Sequence, residues 1–319
     1  MAHLIDMSNG RANMAYVGEK PWHGLGQELT DGASIDQWRV EAGLDWSARR
    51  AAIQFENESG IFTGDSEIIY RSDNNKQLGI VSPAYKIVQP GEVLEFFRDI
   101  VASGDMKLET AGSLDDGKKV WALAKTNQDF RLMGQDHVEG YLLLATSFDG
   151  TLATKAQFTS VRVVCNNTLQ ISLNNAKSAV TVPHSTSFDA RGAKINLGLL
   201  DGGFKQFEEQ AQALAQRKVS NKEAMQFILD VLADGEELEN LSTRKQNIIK
   251  NIYDLYDGRG MGATLTSSAN TAWGVVNAFT QYVDHIQGNN TNNRFRSAQF
   301  GLGAQLKNNA LAYGLKLAA

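Results

Sequence analysis

The feature that most limits the fold of this chain is a change in the spacing of its apolar residues near residue 166. Before it, apolar and polar side chains alternate between tight glycine turns. After it, apolar side chains recur at the three- and four-residue spacing of helices. Asp115-Asp116-Gly117 separates Met106–Leu114 from Lys118–Thr126, and Asp149-Gly150 separates Tyr141–Phe148 from Thr151–Val164. Both read as hairpins, with glycine where the backbone needs positive φ. In the last strand Thr151, Lys155, Gln157 and Thr159 interleave with Leu152, Ala156 and Phe158. One face of that sheet is expected to pack and the other to meet solvent or ligand.

Shorter signals precede the hairpins. The first 60 residues read as a wrapped, irregular segment, with a short helix from Ser34 carrying Ile35 and Trp38. Ile53–Phe55, Glu67–Arg71 and Leu78–Val81 read as strands. Pro90 suits the first position of a helix, and Val93, Phe96, Phe97, Ile100 and Val101 then form a stripe ended by Gly104. Beyond residue 166 an amphipathic stretch, Leu169, Leu173 and Ala176, leads to Val180–Val182 and a break at Pro183-His184. Helices are expected through Leu197–Leu214, with a kink at Gly202-Gly203, and from the capping box Ser220/Glu223 through Leu232. Three more follow, through Ile248–Tyr256, Ala269–Ile286 and Phe300–Leu315. The reading is an α+β fold. A mostly antiparallel sheet with hairpins fills 1–195, and a helical region, 196–319, packs on it.

Composition bounds the class of protein. Of 319 residues, 42% are hydrophobic and 21% charged, as in soluble folded chains. A formal charge of −5 excludes a polybasic condenser of nucleic acid. Cys165 alone allows no internal disulfide and no zinc site needing two thiolates. No apolar run approaches a membrane span, and the first residues lack the plan of a signal peptide, so a cytoplasmic setting is expected.

Chemical motifs are scarce. Gly258-Arg259-Gly260-Met261-Gly262 and Gly301-Leu302-Gly303 do not match a dinucleotide loop, and no Walker loop is present. His3, His23, His137, His184 and His285 include no pair four residues apart, and Cys165 reads as a small buried thiol. Trp22, His23 and His184 read as structural rather than ligand-binding, and Trp273 as core. No catalytic residue, metal or cofactor is predicted, although a site assembled from distant carboxylates stays open.

Charge placement says more. No aspartate or glutamate occurs between Asp149 and Asp189, or after Asp284. The first gap holds Lys155, Arg162 and Lys177, with Arg191 and Lys194 just beyond; the second holds Arg294, Arg296 and Lys307. Phosphates need cations without competing carboxylates. The five earlier cations are expected to line a groove that the three later ones extend, with Phe158 or Phe295 offering a stacking surface. A polar sheet face and a solvated last helix would produce the same pattern.

Several stretches together resemble the phage/plasmid-like proteins carrying the domain of unknown function 932. They are Pro21-Trp22-His23-Gly24-Leu25-Gly26, Val161–Leu169, Pro183-His184-Ser185-Thr186, Thr271–Phe279, Tyr282-Val283-Asp284-His285, and Phe300-Gly301 before Lys307. The resemblance implies a mobile-element context in a bacterial cytoplasm, and no catalytic residues. The succession of hairpin, long strands and helix is also similar, at fold level alone, to ring-forming single-strand annealing recombinases. The expectation is therefore an oligomeric single-stranded-DNA-binding protein that anneals strands. The alternative is a protein-interaction or counter-defence factor, motivated by the acidic charge and the aromatic N-terminal segment.

Overall fold

The two hairpins read from the glycine turns form the middle of the main sheet. A computed structural model describes the chain except residues 1–4, 8–9, 19–23, 105, 163–166, 171–178, 198–202, 234–235, 289–293, 295–296 and 300. Its main-sheet strands are β1 (Met14–Tyr16), β2 (Gln27–Glu28), β6 (Met106–Leu114), β7 (Lys119–Leu132), β8 (Asp136–Ser147), β9 (Thr154–Arg162), β10 (Asn167–Gln170) and β11 (Ala179–Val182). They lie in the order β10-β9-β8-β7-β6-β1-β2, and β11 also pairs with β9. Every pairing is antiparallel except β1 with β2.

The turns explain the hairpins. Asp115, Asp116 and Gly117 all take positive φ between β6 and β7. Met133 and Gly134 do the same between β7 and β8, a hairpin the sequence reading did not draw. Strand β8 therefore starts earlier than Tyr141 and β7 runs on past Thr126.

Register sorts the side chains by face. Ala122 stands opposite Ala111 and Leu144, while Trp121 stands opposite Gly112 and Ala145. The face of Ala122, Leu144, Ala156 and Phe158 joins the large apolar core. Helices cover that face: α2 (Pro90–Ala102) supplies Val93, Phe96 and Phe97, α4 (Gly203–Gln216) supplies Phe204 and Phe207, and α7 (Ala272–Gln281) supplies Trp273. Each such fully buried side chain stabilises the fold by about 1.5–3 kcal/mol. The opposite face, with Trp121, Leu143 and Ala145, packs against Ile5, Ala12 and Met14 of the N-terminal segment. Of these, Met14 lies in β1 and Ile5 bridges Leu114 of β6, so the segment extends the edge of the sheet.

The remaining helices are α1 (Ile35–Glu41), α3 (Ala190–Asn196), α5 (Asn221–Ala233), α6 (Thr243–Asp254) and α8 (Leu302–Ala318). Alpha5 opens on the expected box: Glu223 N–H donates to Ser220 Oγ, and Ser220 N–H donates back to Glu223 Oε2 at 2.9 Å. Alpha7 is buried all round, the mark of a central helix. Two expectations need correction. Leu169 belongs to β10, paired with Ser160, and not to a helical stretch. The strands near Phe55 and Ile69 are far longer than their apolar runs, being β3 (Ala48–Asn57) and β4 (Gly60–Arg71), which with β5 (Gln77–Val81) make a second sheet. Among the described residues no helix is long and apolar enough to cross a membrane.

Candidate binding surfaces

Strand β9 was expected to carry the start of a basic groove. Lys155 stands opposite Ala145 on the face away from the helices, is half-buried, and has no partner among the described residues. Burial holds its ammonium below the usual lysine range. Gln157, two positions on, is 1% exposed, and neither its amide oxygen nor its amide nitrogen has a partner among the described residues. Arg162 stands at a register position of the other parity, opposite Val138, and its side chain lies outside the described residues. Phe158 is core at 6% exposure and offers no stacking surface, because its register partner Leu142 points into the same helix-covered face.

The other candidate cations do not join Lys155. Lys194, on α3, meets Asp99 of α2 at 3.4 Å and lies 5.3 Å over the Phe96 ring. Arg191, on the same short helix, is exposed and its guanidinium is unpartnered among the described residues. Arg294 donates to the carbonyls of Gln287 at 2.8 Å and Gly288 at 2.9 Å, closing the end of the turn that follows α7. Lys307 is a correction. It is 1% exposed and bound to Asp284 at 2.7 Å, so it is an internal ion pair closed to phosphate. Lys177, Arg296 and Phe295, with Cys165, Trp22 and His23, lie outside the described residues.

His184 is structural, as expected. Its ring stacks on Tyr85 with centroids 4.2 Å apart, and its two nitrogens meet the carbonyls of Lys86 at 2.8 Å and Leu152 at 3.0 Å. A hollow of about 730 Å³ lies beside Val17, Leu29, Lys107, Glu109 and Lys125. Its lysines are matched internally: Lys107 to Asp31 at 2.8 Å and Lys125 to Glu139 at 2.6 Å. Tyr141 donates to Glu109 and Glu139, and burial, then these two carboxylates, pushes its phenol up. Among the described residues no cluster of His, Cys, Asp and Glu is arranged to hold a metal ion.

One exposed apolar surface was not found from sequence. Strands β3 and β4 continue past the end of β5, whose register covers only Glu67–Tyr70 of β4. Their distal half is a two-stranded ribbon. Its Phe55 and Phe62 stand opposite each other, with ring centroids 5.8 Å apart, and are 53% and 42% exposed. Ile61 near the tip is 67% exposed and Ile80 of β5 57%. Glu56, Glu58 and Asp65 are also exposed there. The turn is local: Ser59 N–H donates to Asn57 Oδ1 at 2.8 Å, and Gly60 takes φ 130°. Asn57-Glu58-Ser59-Gly60 was the available signal, hidden because exposed strands on a ribbon need no apolar alternation. At its root Arg71, fully buried, joins Asp6 and Asp73; burial opposes its charge, but these carboxylates outweigh it and raise its pKa.

No curated protein and no solved structure matches the chain. A family model described as a domain of unknown function, DUF932, matches residues 77–311, so the ribbon precedes the matched part. By that match the chain belongs to the DUF932 family.

Proposed function

We propose that this protein is a binding factor of a phage or plasmid that works by docking another protein on the β3–β4 ribbon. The observation that carries the reading is the ribbon's apolar, acid-rimmed surface. A free two-stranded hairpin is marginal in water, and Phe55, Phe62 and Ile61 expose apolar area that a partner would remove from it. The acidic rim of Glu56, Glu58 and Asp65 suits a partner with a basic face around an apolar centre. The mobile-element setting comes from the sequence resemblance. A pull-down from nuclease-treated host lysate tests the reading, comparing the native chain with the Phe55→Ser/Phe62→Ser variant. A stoichiometric host protein held by the first and lost from the second supports it; identical lanes reject it.

A second reading, single-stranded nucleic-acid binding, keeps one observation in its favour. Among the described residues Lys155 is desolvated without a counter-ion, next to an amide, Gln157, with both hydrogen-bonding atoms unmet. An anion at that place would satisfy the cation. Filter binding of a labelled oligonucleotide at low and moderate salt, with Lys155→Met as comparison, decides it. Absence of binding at low salt ends this reading.

A further inference from the structure

The edge of the ribbon points to a second copy of the chain, an inference that rests on reading the ribbon as a docking element. Beta3 is the outer strand of its sheet. From Arg49 to Asn57 its backbone bonds only to β4 among the described residues, and Ala48 alone is covered, by the Gln89 amide at 2.9 Å and 3.1 Å. Natural edges are guarded by lysine, proline, a covering element or a bulge that turns them away. Beta3 contains no lysine or proline, and its irregularity lies on the inner side, where residues 64–66 of β4 stand opposite Ile53. The open side runs from Arg49 to Asn57, with small Ala51 and Ala52 exposed on it.

Charge along this edge is polar. Arg49 and Arg50 begin the strand, Arg50 already paired with Glu67 and donating to the carbonyls of Pro83 and Tyr85, and Glu56, followed by Glu58 in the turn, ends it. Two copies laid antiparallel bring the basic start of one beside the acidic end of the other, whereas parallel copies would align like charges. A two-fold axis normal to the sheet keeps each residue on its own face, so facing residues must share parity. The register that meets both conditions sets Arg50 opposite Glu56, Ala51 opposite Phe55, and Ile53 opposite its own copy. We infer that β3 is a dimer edge, paired antiparallel with β3 of a second copy about Ile53. The product is one continuous sheet of both ribbons, with the two Phe55–Phe62 pairs on the same face. The docking surface is then doubled rather than covered.

Cysteine cross-linking and sedimentation test this on the full chain. In a Cys165→Ser background Ile53→Cys is expected to form a disulfide-linked dimer on mild oxidation. Facing residues of antiparallel strands have Cα atoms about 4.5–5.5 Å apart, within disulfide reach. Phe55→Cys should stay unlinked, since the two copies of residue 55 are offset by ~14 Å along the strands. In sedimentation equilibrium Ile53→Lys and Ile53→Glu should each self-associate about tenfold more weakly than the native chain, and their equimolar mixture should recover the dimer. Residues 53 and 55 are half-buried and exposed, so an unchanged Tm is the folding control. A native chain that stays monomeric at about 0.5 mM overturns the pairing. So does equal cross-linking through residues 53 and 55, or a mixture no tighter than its components. Capture of a host protein, read with Phe55→Ser/Phe62→Ser, is a separate result, so failure of the dimer and failure of the docking reading are told apart.

Discussion

At the scale of single residues, Lys307 and Lys155 show how differently two cations in acid-free stretches can be used. Lys307 is held inside the protein by Asp284, which is itself 7% exposed at its side chain. Removing one partner leaves the other charge buried, so Lys307→Met should cost about 3–5 kcal/mol, and Lys307→Met/Asp284→Leu should regain most of it. Urea unfolding of the double-mutant cycle measures this, and oligonucleotide binding should not respond beyond the loss of folded protein. Lys155 is the reverse case, since its folded pKa lies below the free value of 10.5 because of burial. The folded state then binds fewer protons than the unfolded one between the two values, so this burial penalty is full below the folded pKa and fades as pH rises toward 10.5. Lys155→Met should therefore raise stability at pH 7, with an advantage that shrinks as pH rises from the lowered folded pKa toward 10.5. A denaturation midpoint gap that is constant with pH would show that lost charge is not the cause.

Among the elements, what could be read from sequence depended on burial. The Asp-Gly turns, the α2 stripe and the Ser220 cap were legible because each local preference agrees with the fold around it. The ribbon was not, because its strands are exposed on both faces and carry no period. Beta10 was misread because a four-residue strand at a sheet edge offers too little pattern to separate it from a helix turn. The ribbon's placement depends on a glycine whose role no pattern shows. A Cβ at Gly79 of β5 would sit 2.6 Å from both Asp149 Cα and Phe148 O, so the second sheet rests directly on the β8–β9 turn. These are backbone atoms that cannot swing aside. Gly79→Ala should cost about 1–3 kcal/mol, by overpacking. At Gly64, out on the ribbon, the nearest atom would be 3.7 Å away, and Gly64→Ala should change stability by less than about 0.5 kcal/mol. Denaturant midpoints at equal m-value compare the two.

For the whole molecule, the same contrast explains why a groove of eight cations looked plausible in the sequence. Counting charges along the chain treats neighbours in sequence as neighbours in space. Folding brings Asp284 to Lys307 and Asp99 to Lys194, carboxylates just outside or far from the acid-free stretches. Arg294 is spent on backbone carbonyls, and the unpartnered cations among the described candidates are Lys155 and Arg191. Salt dependence converts this into a number, because each phosphate neutralised on a single strand contributes about −0.7 to the slope of log K against log salt. Two free cations predict a slope near −1.4, and all eight would give about −5.6. Titrating a fluorescent oligothymidine at several salt concentrations measures it. A shallow slope leaves the ribbon as the main recognition surface of a protein whose net charge of −5 already repels nucleic acid. A slope near −3.5 would require Arg162, Lys177 and Arg296 to join Lys155 and Arg191 on one track, and would return the molecule to the nucleic-acid reading.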